Sequence, residues 1–430
     1  MSYSDTVSKL LASSGATEGC RLSVKSKGRA YTGTLMPHHA FSAEDAIVLK
    51  LSSGYNIGIL LDGNSSVEVL EKPSAVRRET VIPEQKKGLK KLVFIGTGGT
   101  IASYVDYRTG GVRPALSAAD LVNAVPEITE IANVGTRALF SVFSEDMTVE
   151  HWQTLAEAVA EELNGGADGV IIPHGTDTMG YTAAALSFML SGVNKPVVLV
   201  GAQRSSDRPS SDSVGNILAS ARFCVDGNRA GVFVVMHDTT GDDSFAVHKG
   251  TRVRKMHTSR RDAFRSINAP PEAHIDINGK IAFNCEGRPV SGGKTVAKTD
   301  MEKNCVLLQF FPGMNPESFR DIIMKSKGVV IAGSGLGHVN ENLIPLLGEA
   351  CANGTVVVAA SQCLGGTTNL NVYDTGRDML SAGIVTVGDM LPETAYVKLM
   401  WALANTGSRE EAIQCMKKPV AEESGDRREF

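Results

Sequence analysis

The stretch Lys91-Leu92-Val93-Phe94-Ile95-Gly96-Thr97-Gly98-Gly99-Thr100-Ile101-Ala102 passes from a short apolar run straight into glycines and hydroxyl residues. An apolar segment of this length, closed by glycine, reads as a strand buried on both faces. The small residues after it allow a tight turn whose backbone N–H groups approach a ligand. The same grammar recurs at 169–172, 196–200, 231–236, 328–332 and 355–359, and residues 149–163 and 182–190 between them carry apolar side chains at helical spacing. Strands alternating with helices predict an α/β fold, a mostly parallel sheet covered by helices on both faces. Gly, Lys and short polar runs accumulate at 278–302, which reads as a second linker before another strand–helix series starts at Cys305. A large α/β domain over 86–290 and a smaller one over 291–430 are therefore expected.

Upstream the pattern changes. Short strand-like runs at 21–24, 30–35, 46–51 and 57–61 are broken by Gly, Pro, His and Asn, which predicts a small β-barrel. The charged stretch 71–90 holds Pro73 and Pro83 and has no periodicity, so it reads as a linker closing a module of residues 1–85. Counted up to Lys90, module and linker together are mildly basic, net +3, against −7 for the remainder. A solvated surface accounts for this charge as simply as RNA contact does.

At 430 residues the chain exceeds the usual capacity of one core. Its 42% hydrophobic and 21% charged residues suit a globular protein, and the net charge of −4 excludes an overall basic field for nucleic acid. No apolar run approaches the length that crosses a bilayer, and Met1-Ser2-Tyr3-Ser4-Asp5 does not open a secretory signal, so a cytoplasmic location is expected. Seven widely spaced cysteines without a Cys-x-x-Cys argue against a zinc knuckle or a disulfide framework.

In open α/β sheets ligands gather at the carboxyl ends of strands. The Gly96–Ala102 turn lacks both the Gly-Lys-Ser/Thr end of a phosphate loop and the spacing of a dinucleotide fingerprint, so nucleotide binding is not supported. After the strand at 169–172 stands Pro173-His174-Gly175-Thr176-Asp177-Thr178-Met179-Gly180. A threonine is a weak nucleophile until its proton is taken, so a Thr/Asp pair beside a cation is what acyl transfer requires. The bland alternative makes Asp177 or Thr178 the N-cap of the next helix, and His174 a satisfied structural histidine. Residues 249–265 carry seven basic side chains against one acid, Asp262. They read as a solvated loop, an RNA-phosphate patch, or the source of one cation for a catalytic network.

Taken together, Thr-Gly-Gly-Thr-Ile-Ala (97–102), Asp-Tyr-x-Thr-Gly-Gly (106–111), Ser-Glu-Asp-Met (144–147), His-Gly-Thr-Asp-Thr-Met (174–179), Val-Gly-Ala-Gln-Arg (200–204) and Arg-Lys-Met-His-Thr (254–258) resemble the bacterial-type L-asparaginase family over about residues 90–410. The N-terminal extension, with Gly-Tyr-Asn-Ile-Gly-Ile (54–59), resembles that of the asparaginase-like subunits of archaeal glutamyl-tRNA(Gln) amidotransferases. The resemblance implies asparaginase-like large and small α/β domains behind a small β-barrel. It implies Thr100 as the first nucleophilic threonine with Tyr107 near it to accept or orient its proton, and a second constellation of Thr176, Asp177 and Lys255, with either threonine open as the attacker. Ser144 and Asp177 would hold the amino-acid head group, and backbone N–H groups at Thr176 and near Ala202 the oxyanion. Leu336 stands where bacterial asparaginases place an asparagine, so no C-terminal residue joins the site.

The activity so implied is hydrolysis of the glutamine side-chain amide through a threonine nucleophile, with ammonia passed to a second subunit. That subunit, kinase and transamidase, converts Glu-tRNA(Gln) to Gln-tRNA(Gln) and contacts most of the tRNA. The implied assembly is a homodimer within a heterotetramer, with no metal or organic cofactor in this chain and ATP and Mg on the partner. The rival enzyme is a free-standing cytoplasmic L-asparaginase. A non-catalytic amino-acid sensor is the third reading, and two poised hydroxyls speak against it.

Overall fold

The computed structural model describes residues 3–38, 43–51, 56–72, 85–98, 103–105, 112–114, 124–204 and 211–425. At the N-terminus the helix Asp5–Ser14 packs Val7 and Leu11 against five antiparallel strands. These are β1 (Arg21–Ser26), β2 (Arg29–Leu35), β3 (Ala46–Lys50), β4 (Asn56–Leu60) and β5 (Ser66–Glu71), in the order β4-β3-β2-β1-β5. The sheet curls around Leu22, Val24, Leu35, Ile47, Leu49 and Ile59 until Ser26 Oγ on β1 donates to the Leu60 carbonyl of β4 at 2.6 Å. This is the small β-domain implied by the short runs, with one strand and one helix more than they announced. β5 ends at Glu71, the first residue of the charged stretch that reads as linker.

The central sheet follows. β6 (Lys91–Gly96) leads to a small hairpin of β7 (Ser103–Val105) and β8 (Val112–Pro114), then to β9 (Asn133–Ala138), β10 (Gly169–Pro173), the short β11 (Leu190–Ser191), β12 (Pro196–Val200), β13 (Gly231–His237) and β14 (Ser244–Lys249). A second hairpin pairs β15 (Val253–Lys255) with β16 (Phe264–Ser266), before β17 (Ala273–Asp276) and β18 (Ile281–Phe283). Eight of these strands form one sheet, ordered β18-β17-β14-β13-β12-β10-β6-β9. It is parallel from β9 to β13 and antiparallel through β14, β17 and β18, where no crossover helix intervenes.

Strand side chains alternate between two cores. Val93, Ile95, Val170, Ile172, Val197 and Leu199 face the helices Val149–Asn164 and Met179–Met189, while Leu92, Phe94, Ile171, Val198 and Val200 face the helix Ser213–Asp226. The helix Met179–Met189 is apolar on nearly every side because it is covered twice, by the sheet and by the C-terminal helix Pro392–Asn405. That second cover belongs to a smaller parallel sheet of β20 (Cys305–Gln309), β21 (Gly328–Gly333), β22 (Val356–Ser361) and β23 (Val385–Thr386), reached through β19 (Val296–Ala297). The 278–302 stretch is not a free linker. β18 lies within it, β19 pairs with β11, and Asn164 Nδ2 donates to the Thr295 carbonyl at 2.8 Å.

Candidate active site

β6, β10 and β12 lie side by side and parallel, so the turns that follow them meet at one edge of the sheet. Thr97 Oγ1 donates to the Pro173 carbonyl at 2.8 Å and ties the first turn to the second; the His174 N–H donates to the Val200 carbonyl at 2.9 Å and ties the second to the third. Gly98 is required here, with φ +109 and the Val142 carbonyl where a Cβ would stand. Thr100 and Tyr107 lie outside the described residues.

Thr176, Asp177 and Lys255 are brought together although 78 residues separate the last two. Lys255 Nζ donates to Thr176 Oγ1 at 2.8 Å and to Asp177 Oδ1 at 2.7 Å. The lysine is largely enclosed, its side chain 13% exposed, whereas the Asp177 carboxylate is 68% exposed and open to a ligand. Lys255 arrives on the last residue of β15, held in register by pairing with Phe264 of β16. Ser144 is buried in a short 3-10 turn, its Oγ 3.5 Å from Asp177 Oδ2, at the outer limit of a hydrogen bond. Gly175 makes this contact possible, since a Cβ there would stand 2.7 Å from Ser144 Cβ. Thr178 does occupy the N-cap position of the following helix, yet its hydroxyl does not cap; it donates to the Ser144 carbonyl at 2.6 Å. Asp177 is engaged by Lys255 instead of capping.

Ala202 follows β12 on a backbone fixed from behind. Buried Asp212 accepts from the N–H groups of Gln203 at 3.0 Å and Arg204 at 2.9 Å, and Asn216 Nδ2 donates to the Gly201 carbonyl at 2.9 Å. His174 is almost wholly buried, and desolvation lowers its pKa to about 4. Among the described residues its Nε2 has no partner, so it is not the fully satisfied structural histidine expected.

The basic run does not form a cationic patch. Each of its seven basic side chains meets a carboxylate: Lys249 with Glu272 and Glu422, Arg252 with Asp389, Arg254 with Glu393, Lys255 with Asp177, Arg260 with Asp262, Arg261 with Asp242, and Arg265 with Asp238 and Asp262. Of the seven, Lys255 is the one that, among the described residues, also reaches a threonine hydroxyl, that of Thr176. Among the described residues no group of three or more His, Cys, Asp or Glu is placed to hold a metal ion, and no helix is long and apolar enough to cross a membrane.

A cleft of about 590 Å³ opens beside Asp177 and Lys255, and about half of its wall comes from the smaller domain, from its strands, the turn after β22 and the start of the helix Pro392–Asn405. Leu307, Gln309, Ala332, Gln362, Leu364, Pro392 and Glu393 face it, with Gln309 Nε2 donating to Gln362 Oε1 at 3.0 Å and Arg254 donating to Glu393 through Nε at 2.6 Å and Nη2 at 2.5 Å. Sequence reasoning left these residues out. A signal was present for two of them, since Gln309 ends β20 and Gln362 follows β22, the same strand-end position that marked the motifs of the larger sheet.

The chain is similar to known proteins along most of its length. A glutamyl-tRNA(Gln) amidotransferase subunit of the GatD type from Pyrococcus abyssi is 51% identical over 391 residues, covering 90% of this chain and 89% of that protein. Another from Thermofilum pendens is 44% identical over 441 residues, covering 100% and 97%. The chain belongs to the GatD family of glutamyl-tRNA(Gln) amidotransferase subunits. Family by family, "Asparaginase, N-terminal" matches residues 91–287, "Glutaminase/Asparaginase C-terminal domain" residues 304–416, and "GatD N-terminal domain" residues 16–70. Among solved structures, the thermostable L-asparaginase from Thermococcus kodakarensis is 33% identical with a TM-score of 0.70, covering 78% of this chain and all of that one. The part of this GatD family member that such an asparaginase leaves uncovered is of the size of its N-terminal β-domain.

Proposed function

We propose that this chain is the glutaminase subunit of a tRNA-dependent amidotransferase, hydrolysing the side-chain amide of glutamine and passing ammonia to a second subunit that amidates Glu-tRNA(Gln). The observation that carries the reading is Lys255 Nζ, held within hydrogen-bond reach of both Thr176 Oγ1 and Asp177 Oδ1 beside an open cleft. As a threonine oxygen bonds to the amide carbon, its proton passes to Lys255 while Lys255 gives one to Asp177. The oxyanion is met by the Thr176 N–H and an N–H near Ala202. The C–N bond then breaks with a proton returned to nitrogen, ammonia leaves, and water cleaves the acyl-threonine to glutamate. Thr100 is the first of the two nucleophilic threonines, with Tyr107 near it to accept or orient its proton, and Ser144 and Asp177 grip the amino-acid head group.

In this reading the chain needs no metal or organic cofactor, ATP and Mg act on the partner, and the assembly is a homodimer within a cytoplasmic heterotetramer. The N-terminal match favours the amidotransferase component over a free-standing asparaginase. With the partner present, Thr100→Ala and Thr176→Ala should each abolish glutamine-dependent amidation and spare amidation from free ammonia; equal loss of both would overturn the assignment. Brisk asparagine hydrolysis by the chain alone would instead favour the free-standing enzyme.

A further inference from the structure

His174 interrupts the threonine-bearing turn with a buried ring whose Nε2 has no partner among the described residues. Its other nitrogen, Nδ1, lies 2.7 Å from the carbonyl oxygen of the next residue, Gly175. A carbonyl only accepts, so Nδ1 carries the proton and Nε2 is a bare lone pair. The Gly175 carbonyl and the Thr176 N–H belong to one trans peptide unit and point in opposite directions. Among the described residues that unit has no other hydrogen bond: the imidazole alone holds its carbonyl, and its N–H is free. The unit is also confined sideways. Gly175 presses on Ser144, and Gly201 comes so close that a Cβ there would stand 2.6 Å from Thr176 Cγ2.

We propose that His174 is a positioning residue for amide hydrolysis: by pinning the Gly175 carbonyl it sets the plane of the 175–176 peptide and aims the Thr176 N–H at the oxyanion. The inference rests on the amidohydrolase reading above. It accounts for a polar ring in an apolar interior, because only one of its two nitrogens is used and the other serves to keep the ring neutral. Burial lowers the pKa to about 4, so near neutrality the ring carries no charge. It also separates His174 from the residues that touch substrate, since the imidazole acts entirely through the backbone.

The test uses the full chain assembled with its amidotransferase partner, with glutamine-dependent and ammonia-dependent amidation measured side by side. Asparagine places an amide N–H where Nδ1 stands, glutamine where Nε2 stands, and phenylalanine offers none. Misdirecting one oxyanion donor should lower kcat for glutamine about 10- to 100-fold in His174→Phe and His174→Gln, with KM within about twofold of wild type. His174→Asn should recover most of the rate, and ammonia-dependent amidation should be unchanged in all three. Should His174→Phe fail to fold, the Asn and Gln pair carries the comparison. Equal rates for those two, or a change in KM with kcat intact, would overturn the inference. A wild-type complex that amidates only from free ammonia would instead overturn the glutaminase reading on which it rests.

Discussion

In the proposed reaction Lys255 serves two oxygens of different kinds that share its Nζ, a hydroxyl to be activated and a carboxylate to take charge. A methionine in its place keeps length and removes the proton relay, so Lys255→Met should lower glutamine turnover by roughly 10²–10⁴-fold in steady-state assays with the fold intact. Buried histidines carry a second prediction at this scale. Desolvation lowers His174 to about 4 and, helped by the charges of Arg265 and His274, His248 to about 3. Unfolded, both would titrate near 6.5, so below that pH the unfolded chain binds protons that the native chain refuses. Stability is therefore full above about 6.5 and falls as the solution is acidified, by at most roughly 1.4 kcal/mol per pH unit for each ring. Urea unfolding at pH 7 and pH 5 should show this loss, and His248→Asn should shallow the slope by about one proton. An unchanged slope would mean that His248 is solvated.

At the scale of the element, what the sequence showed depends on how a segment is buried. β10, β12 and β13 are buried along their whole length, so their unbroken apolar runs announced both strands and sheet. β5 hides its nature, since only Val67 and Val69 are half-buried and the stretch read as linker begins at its last residue, Glu71. Thr176 and Asp177 were legible as chemistry within one motif, but the partner of that motif depends on a hairpin pairing that local spacing does not encode. The basic run 249–265 likewise pairs Arg260 and Arg265 with Asp262 inside the run, but Arg252 and Arg254 with carboxylates distant in sequence, Asp389 and Glu393. Arg252 and Asp389 are each about 4% exposed and 2.8 Å apart, and Asp389 also accepts from the Gly425 N–H at 3.1 Å. Removing one member of a buried pair strands the other charge, so Asp389→Ala should cost about 3–5 kcal/mol in urea unfolding. Breaking the exposed Lys325–Asp321 pair on the helix Pro316–Lys325 should leave the midpoint where it is. If Asp389→Ala were equally silent, the hairpin would not depend on its anchor in the smaller sheet.

Over the whole molecule, the two domain junctions proposed from sequence are physically unlike each other. The N-terminal module buries its own core, drawn from Val7 to Leu61 with Val67 and Val69 at its margin, and shares no residue with the others. The large and small α/β domains do share one: a single cluster runs from Val93 through the helix Met179–Met189 to Ala395, Leu399 and Met416. A chain of residues 86–430 should therefore keep a cooperative thermal transition within a few degrees of the full chain and retain glutamine hydrolysis, any loss appearing only in coupling to amidation. A chain ending at residue 290 should do neither, because it uncovers one side of the helix Met179–Met189 and removes half of the cleft wall. Circular dichroism melts of the two truncations separate the cases. A cooperative melt from residues 1–290, or collapse of residues 86–430, would show that stability is partitioned along other lines than these cores.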